Sequence, residues 1–296
     1  MLRFEAWSFR QFRCSRGLAQ NTRAQRLRIL RRFLLQRCSS ALGELTPLNA
    51  AGLRRFIEQE LQRWSPASAG TLVSTLRSYL RFRALRGEQV NHLLPVIGSP
   101  AKWRLAPLPE TLSSSDVDRL LAAFGPEVPS RLRAYAMVRC VVDLGLRAQE
   151  VVGLALDDVD WRAGTIRIGQ NKSRRTDVLP LPHATGKAIA SYLRLERPRT
   201  TNRRVFVRHV APIDEPIGPG VVRRAVHEAY RRSGVAHTRV HVLRHTLAGR
   251  LLEREGTLKE VADVLRHRNL DTSLIYAKID TARLSAVALP WPGSGV

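Results

Sequence analysis

The first third of the chain repeats apolar residues at the spacing of a helix and shows no strand-like alternation. Between residues 22 and 38, apolar side chains recur every three or four positions, with arginines between them. Because this period places the apolar side chains on one face, it predicts an amphipathic helix. Similar patterns begin at Thr46 and Ser65, and a shorter one covers residues 5–13. Residues 1–97 are therefore predicted to form a bundle of about four helices with a basic exterior.

The helical pattern ends in residues 98–109, a stretch that contains one glycine and three prolines. Such residues interrupt regular structure, so the stretch is predicted to be a linker between two domains. Ser113 and Asp116 then have the spacing of a capping box ahead of a new apolar pattern. The second domain is therefore predicted to cover residues 110–296, including a C-terminal tail.

The second domain mixes helical and strand patterns. A long apolar run over residues 132–144 predicts a helix that Gly145 ends. Short strands are predicted at 164–168, 178–181 and 204–207, with a polar turn at 169–176. Further helices are predicted at 184–195, 219–233, 242–254 and 258–265. The expected fold class is mainly α with a small β-sheet, made of an N-terminal helical bundle and a mixed α+β domain.

The chain is strongly basic. It has 49 Lys and Arg against 25 Asp and Glu, a formal net charge of +24. Each cation placed at a phosphate releases condensed counterions, so this balance favours a polyanionic partner. Most of the cations are arginines, whose planar fork contacts two phosphate oxygens at once. A GC-rich coding sequence would give the same arginine bias.

The rest of the composition excludes several classes of protein. Cys14, Cys38 and Cys140 lack the spacing of a metal or redox site and are predicted to be reduced core thiols. No run approaches the roughly 18 apolar residues of a membrane span. The N-terminus lacks the apolar core of a signal peptide. These features predict a cytoplasmic protein with no membrane partner, and they indicate no metal or other cofactor.

Five short motifs in the second domain carry residues suited to phosphate chemistry. They are Gly145-Leu-Arg147-Ala-Gln-Glu150, Lys172 in the polar turn, His241-Val-Leu-Arg244, Leu265-Arg-His267 and Ile275-Tyr276. Metal-free cleavage of a phosphodiester requires a nucleophile and cationic donors to the nonbridging oxygens. It also requires an acid for the leaving 5′ oxygen and a base for the nucleophile's proton. These motifs contain residue types for all four tasks.

In this order, the motifs resemble those of the tyrosine recombinase, or phage-integrase-like, family, and the resemblance covers nearly the whole chain. It implies a helical core-binding domain that binds DNA, a linker and a catalytic domain. It also implies site-specific cleavage and rejoining of double-stranded DNA through a 3′-phosphotyrosyl intermediate, without metal, ATP or other cofactor. The partners implied are double-stranded DNA and a homo- or hetero-tetramer of recombinases assembled on it.

The resemblance assigns roles to the matched residues. Tyr276 would be the nucleophile. Arg147 and Arg244 would clamp the scissile phosphate, and Glu150 would orient these arginines from behind.

Three further roles concern proton transfer and hydrogen bonding. His241 would be a general base or a hydrogen-bond partner of the phosphate, and His267 would donate to a nonbridging oxygen. Lys172 would protonate the leaving oxygen, with Arg174 and Arg175 as rivals in the same turn.

Two residues adjoin the matched motif residues and are considered separately: Arg266, next to His267, and His245, next to Arg244. Arg266 stands where the family usually has a small residue, often glycine. It would be costly at that position if the backbone there is left-handed, and harmless or even phosphate-binding if the backbone is helical. His245, next to Arg244, is expected to point away from the site and to have a structural role.

The segment 265–278 looks more like integrases of transposable elements than like recombinases that resolve chromosome dimers.

Two alternatives to a recombinase remain open from the sequence. A type IB topoisomerase-like enzyme would share the chemistry, but the helical bundle and the short chain favour a recombinase. A non-catalytic DNA-binding regulator could retain the fold, although the complete set of catalytic residue types argues against it.

Overall fold

The structure is a computed structural model that describes residues 9, 20–37, 47–64, 66–98, 109–169, 176–237, 239–266 and 273–277. The chain divides into two compact units, Met1–Arg104 and Leu105–Val296. The division falls within the predicted linker 98–109, most of which lies outside the described residues. None of the described helices is long and apolar enough to cross a membrane.

The first unit contains three described helices and a 3₁₀ helix. They are α1 (Gln20–Gln36), α2 (Ala50–Leu61), α3 (Pro66–Leu85) and the 3₁₀ helix Asn91–Val96. The helices α1 and α3 pack together around a core that includes Phe33, Leu76 and Tyr79. Phe9, the one described residue of the predicted helix at 5–13, is helical and buried, with its ring edge-on to Tyr79 at 5.8 Å.

One helix start differs from the prediction. The second helix begins at Ala50 and not at Thr46, because the Asn49 side chain caps it by accepting a hydrogen bond from Gly52 N at 2.7 Å. An asparagine in this position satisfies a backbone donor that the first helical turn leaves free.

The second unit contains eight described helices, one of them central, together with a small sheet. The helices are α4 (Ser114–Ala122), α5 (Arg131–Leu144), α6 (Ala148–Gly153), α7 (His183–Leu195), α8 (Pro219–Ser233), α9 (Val240–Glu253), α10 (Leu258–Val264) and α11 (Leu274–Ala277). The apolar helix α5 packs against α7, α8 and α9, and its burial explains the long apolar run in the sequence. Cys140 lies in this core as a free buried thiol, as predicted, while Cys14 and Cys38 lie outside the described residues.

The sheet is antiparallel and has three described strands in the order β1 (Val159–Asp160), β2 (Thr165–Ile168) and β3 (Asp177–Pro180). Ile166 of β2 pairs with Leu179 of β3, and both point into the core. A 3₁₀ helix at Leu156–Asp158 precedes β1. The fold class, mainly α with a small sheet, is confirmed.

The predicted strand at 204–207 is wrong. Arg204 and Val207 form only isolated bridges, with Ala155 and Pro216 respectively. The apolar residues between them are fully buried, so the pattern that suggested a strand reflects packing against the core.

Candidate active site

Helix α9 carries three of the polar residues at the site, His241, Arg244 and His245. Its apolar face, including Val242 and Leu243, is buried in the core, which fixes the direction of the polar side chains. The helix is also tied to the start of the unit, because Thr246 Oγ1 accepts a hydrogen bond from Leu112 N at 2.8 Å.

Arg244 is buried, with only 4% of its surface exposed. Its two terminal nitrogens donate to the carbonyl oxygens of Gly145 and Leu265. The guanidinium therefore connects the turn that precedes Arg147 to the end of helix α10. Burial, followed by the charges of Arg147 and Arg266, lowers the pKa of Arg244 to about 9. The side chain stays cationic at neutral pH and is held in one orientation.

Gly145 allows the turn that precedes Arg147 to pack closely against Leu247 and Leu265. It ends α5 in the left-handed conformation, with φ 58°. A Cβ atom on this residue would lie 2.9 Å from side-chain carbons of both Leu247 and Leu265. Glycine satisfies the backbone angle and the contact distance together.

Arg147 lies at the N-terminus of α6, two residues after that turn. Its backbone N and its Nη1 donate to the two carboxylate oxygens of Glu150, at 2.8 Å and 2.7 Å. The Arg147 side chain is 40% exposed, whereas that of Glu150 is buried. The carboxylate thus orients a guanidinium that remains accessible, which is the geometry expected of a phosphate ligand supported from behind.

Arg266 is a second partner of the same carboxylate. Its backbone is left-handed, with φ 52°, so the costly alternative expected for this position is the one observed. Its Nη2 donates to Glu150 Oε2 at 2.6 Å and its Nη1 to Val264 O at 3.0 Å, and its side chain is 6% exposed. The side chain is therefore part of the buried support of the site.

Glu150 remains ionised between these arginines. Burial acts against the charged form, but the charge of Arg266 and the hydrogen bonds from Arg147 outweigh it and lower the pKa of Glu150. A buried carboxylate with two guanidinium partners is the arrangement in which such a charge is tolerated.

Tyr276 is 1% exposed and packs in a small apolar cluster with Ala248, Val261 and Leu265. Burial raises the pKa of its phenol, and the charges of Arg244 and Arg147 act in the opposite direction. The structure thus brings Tyr276 into the field of the two arginines predicted to accompany it.

The phenol oxygen of Tyr276 lies 2.8 Å from Nδ1 of His245. The expectation that His245 points away from the site is therefore wrong. Histidine 245 follows His241 by four residues, and this spacing places both on neighbouring parts of one helix face. That spacing was the signal in the sequence that could have identified it.

His241 is exposed at the start of α9. Partial burial of its ring, together with the charges of Arg244, Arg147 and Arg223, lowers its pKa. A neutral imidazole surrounded by cations can accept or donate a hydrogen bond at an anionic ligand.

The other predicted site residues, Lys172 and His267, lie outside the described residues, as do Arg174 and Arg175. Their roles stay predictions. Within the described ranges, no group of three or more His, Cys, Asp or Glu side chains is placed to share a metal ion.

Comparison with known sequences identifies a match over most of the second unit. The profile of the phage integrase family matches residues 110–283. A relative described as an integrase/recombinase, y4rA of Sinorhizobium fredii, is 38% identical over 286 residues, which is 96% of this chain and 69% of the relative. The tyrosine recombinase XerC of Vibrio atlanticus is 28% identical, over 94% of this chain and 88% of the relative.

Solved structures share the fold at low sequence identity. The XerH site-specific recombinase in a post-cleavage complex with its difH substrate matches with a TM-score of 0.71 and 20% identity, over 90% of this chain and 78% of that one. A lambda integrase tetramer bound to a Holliday junction matches with a TM-score of 0.67 and 18% identity, over 90% and 77% of the two chains.

Proposed function

The chain belongs to the phage integrase family, which confirms the resemblance found in its sequence, and we propose that Tyr276 is the nucleophile of its reaction. The protein is a site-specific tyrosine recombinase that cleaves and rejoins DNA. The observation that carries the assignment of Tyr276 is its place beside Leu265, whose carbonyl accepts a hydrogen bond from the buried Arg244. The comparisons favour this function over the topoisomerase-like and regulatory alternatives.

In this proposal, the Tyr276 oxygen attacks the scissile phosphorus and forms a 3′-phosphotyrosyl bond as the 5′ oxygen leaves. Arg147 and Arg244 stabilise the charge that develops on the nonbridging oxygens, since guanidinium groups fixed in advance need no reorganisation during the reaction. Glu150 positions Arg147. His241 is exposed beside these arginines, and this supports a role as a hydrogen-bond partner of the same phosphate.

The proposal for the remaining predicted residues rests on their sequence motifs. Lys172 protonates the leaving 5′ oxygen, and His267 donates a hydrogen bond to a nonbridging oxygen. Rejoining reverses these steps, so the reaction consumes neither ATP nor another cofactor.

We further propose that the partner is double-stranded DNA and that protomers assemble on it as a tetramer. The solved relatives include a recombinase in complex with its DNA substrate and an integrase tetramer on a branched DNA, which supports both points. In this scheme, residues 1–97 form the core-binding domain, 98–109 the linker and 110–296 the catalytic domain. The cytoplasm is the expected location.

A covalent adduct with DNA tests the assignment of the nucleophile. The substrate is a duplex nicked beside the cleavage site, so that the short 5′-hydroxyl fragment diffuses away and the adduct accumulates. Wild type should form an adduct that survives a denaturing gel, and Tyr276→Phe should bind the duplex equally well but form none. Tyr135→Phe removes the hydroxyl of a half-buried tyrosine that lies outside the candidate site, and this variant should behave as wild type. An adduct in Tyr276→Phe would show that another residue attacks.

The same preparation separates the recombinase from the alternatives. A topoisomerase-like enzyme would relax supercoiled plasmids that carry a single site, whereas a recombinase should exchange strands between two sites. A regulator would bind the duplex without forming any adduct.

A further inference from the structure

The two histidines of helix α9 face different partners. His241 is exposed beside Arg147, Arg223 and Arg244, which are the groups whose charges lower its pKa. The ring of His245 is half-buried and lies against Tyr276, with ring centroids 5.6 Å apart at an angle of 57°. One histidine is thus placed toward the candidate phosphate ligands and the other toward the candidate nucleophile.

The contact with Tyr276 is fixed from both sides. The phenol ring is buried in the apolar cluster formed by α9, α10 and α11, which leaves it little freedom to turn. The imidazole is carried by a helix whose core face is fully packed. The distance of 2.8 Å between Nδ1 and the phenol oxygen is that of a hydrogen bond.

We propose that His245 is a catalytic residue that holds the hydroxyl of Tyr276 and accepts its proton when the oxygen attacks phosphorus. This inference rests on the proposed function, because it presupposes that Tyr276 is the nucleophile. It separates two tasks that the sequence motif left together on His241: His241 interacts with the phosphate, and His245 activates the phenol.

The charges around His245 suit a proton acceptor. The groups that face it are His241 and Arg244 on its own helix, Tyr276 on α11 and Glu110 in the segment before α4. Burial, followed by the charges of His241 and Arg244, lowers the pKa of His245, against the opposing effect of Glu110. The imidazole is therefore neutral at neutral pH. In the tautomer with the hydrogen on Nε2, Nδ1 is free to accept the phenol proton.

The bonds balance without a further reactant. The O–H bond of Tyr276 breaks and an N–H bond forms at Nδ1 of His245, while the phenol oxygen bonds to phosphorus. The bond from phosphorus to the 5′ oxygen breaks, and that oxygen takes a proton from the acid, proposed to be Lys172. During rejoining the attacking 5′-hydroxyl returns its proton to Lys172, and the imidazolium returns its proton to the phenol oxygen, so no proton is gained or lost over the full cycle.

Replacing His245 by asparagine tests the proposal. In His245→Asn, the side-chain amide reaches nearly the position of Nδ1 and can still hold the hydroxyl, but it cannot accept a proton. Single-turnover cleavage of the nicked duplex should slow by roughly 100- to 10,000-fold, the usual contribution of a general base. The rise of the wild-type rate with pH, as the imidazole loses its proton, should disappear in the variant. His183→Asn, an exposed histidine of α7, should cleave as wild type.

A more acidic nucleophile distinguishes proton transfer from positioning. If Tyr276 is replaced by a fluorinated tyrosine, whose phenol ionises at lower pH, the base becomes less important. Most of the rate lost in His245→Asn should then return, and no such rescue should occur in His241→Asn. Gel-shift affinity for the duplex serves as the check that each variant is folded.

Two results would overturn the proposal: a wild-type rate and pH profile in His245→Asn, or a slow variant that the fluorinated tyrosine does not rescue. The gel that measures these rates also contains wild type and Tyr276→Phe. If wild type forms no adduct, the proposed function itself fails. If wild type forms the adduct and Tyr276→Phe does not, either of the two results above counts against His245 alone.

Discussion

Exposed arginines of the first unit and two arginines near Tyr276 in the second unit occupy contrasting environments. In the first unit, Arg28 and Arg31 of α1 and Arg54 of α2 project from exposed helix faces. In the second unit, Arg244 and Arg266 are almost completely buried, and each donates to protein oxygens through its terminal nitrogens. An exposed cation adds affinity for any phosphate and is screened by salt, whereas a buried one has a defined position.

The difference has an energetic cause. A guanidinium leaves water at a cost of several kcal/mol and is stable only where fixed acceptors replace the solvent. The backbone carbonyls of Gly145 and Leu265 are the acceptors for Arg244. The Val264 carbonyl and the Glu150 carboxylate are the acceptors for Arg266. We therefore expect substitutions at these two buried arginines to change chemistry and stability, and substitutions at the exposed arginines of the first unit to change affinity alone.

Among the arginines and their protein partners, the largest effect is expected at Arg244. In Arg244→Lys the charge remains, but one ammonium cannot reproduce the planar fork that donates to the carbonyls of Gly145 and Leu265 and, in the proposed mechanism, also to a phosphate. The single-turnover cleavage rate should fall roughly 100- to 1,000-fold, as for loss of one preorganised donor. Arg250→Lys, a less buried arginine of the same helix, is the control and should cleave within a few-fold of wild type. Similar rates in the two variants would show that charge alone suffices at Arg244.

The next effect concerns Glu150. Glu150→Gln removes the carboxylate that Arg147 and the buried Arg266 share, and should lower the free energy of unfolding by about 3 kcal/mol at neutral pH. Since the folded-state pKa of Glu150 is lowered, its stabilisation is present above the ordinary glutamate pKa and is lost as pH falls through the lower folded value. The stability difference between wild type and variant should therefore shrink in acid. Thermal unfolding at a series of pH values measures it, and a difference that grows in acid would contradict the assignment.

These expectations show what the sequence could and could not predict. Helix positions and the two-part organisation follow from local periodicity and from breakers such as Gly145, which act within a few residues. The identities of Arg147, Arg244 and Tyr276 as candidates followed from motifs. The contacts of Arg266 with Glu150 and of His245 with Tyr276 join residues 116 and 31 positions apart, so they depend on how separate helices meet. The prediction of a strand at 204–207 failed for a different reason: Val205, Phe206 and Val207 are buried, and burial and strand pairing produce similar apolar patterns.

A smaller effect should separate the two roles of Arg266. Both Arg266→Ala and Arg266→Gly remove the ion pair with Glu150, but only glycine adopts the left-handed backbone without strain. The glycine variant should be more stable than the alanine variant by about 1 kcal/mol. Chemical denaturation of both proteins measures the difference. If alanine is equally stable, the backbone at this position relaxes when the arginine is lost.

The smallest effect on the reaction is expected at the exposed arginines of α1, and it should appear only in binding. If the first unit contacts DNA phosphates, Arg28→Ala and Arg31→Ala should each make the salt dependence of binding shallower, by about 0.9 in the slope of log affinity against log salt. Cleavage by DNA-saturated enzyme should be unchanged, because neither residue belongs to the site around Tyr276. Arg203→Ala is a suitable control, since Arg203 is exposed but already paired with Asp157. Gel-shift titrations at several salt concentrations give the slopes. A slope equal to that of wild type in both α1 variants would place the phosphate contacts on other faces of the molecule. A slower cleavage step at saturation would mean that these exposed arginines also influence the chemistry. That result would remove the contrast between the two environments.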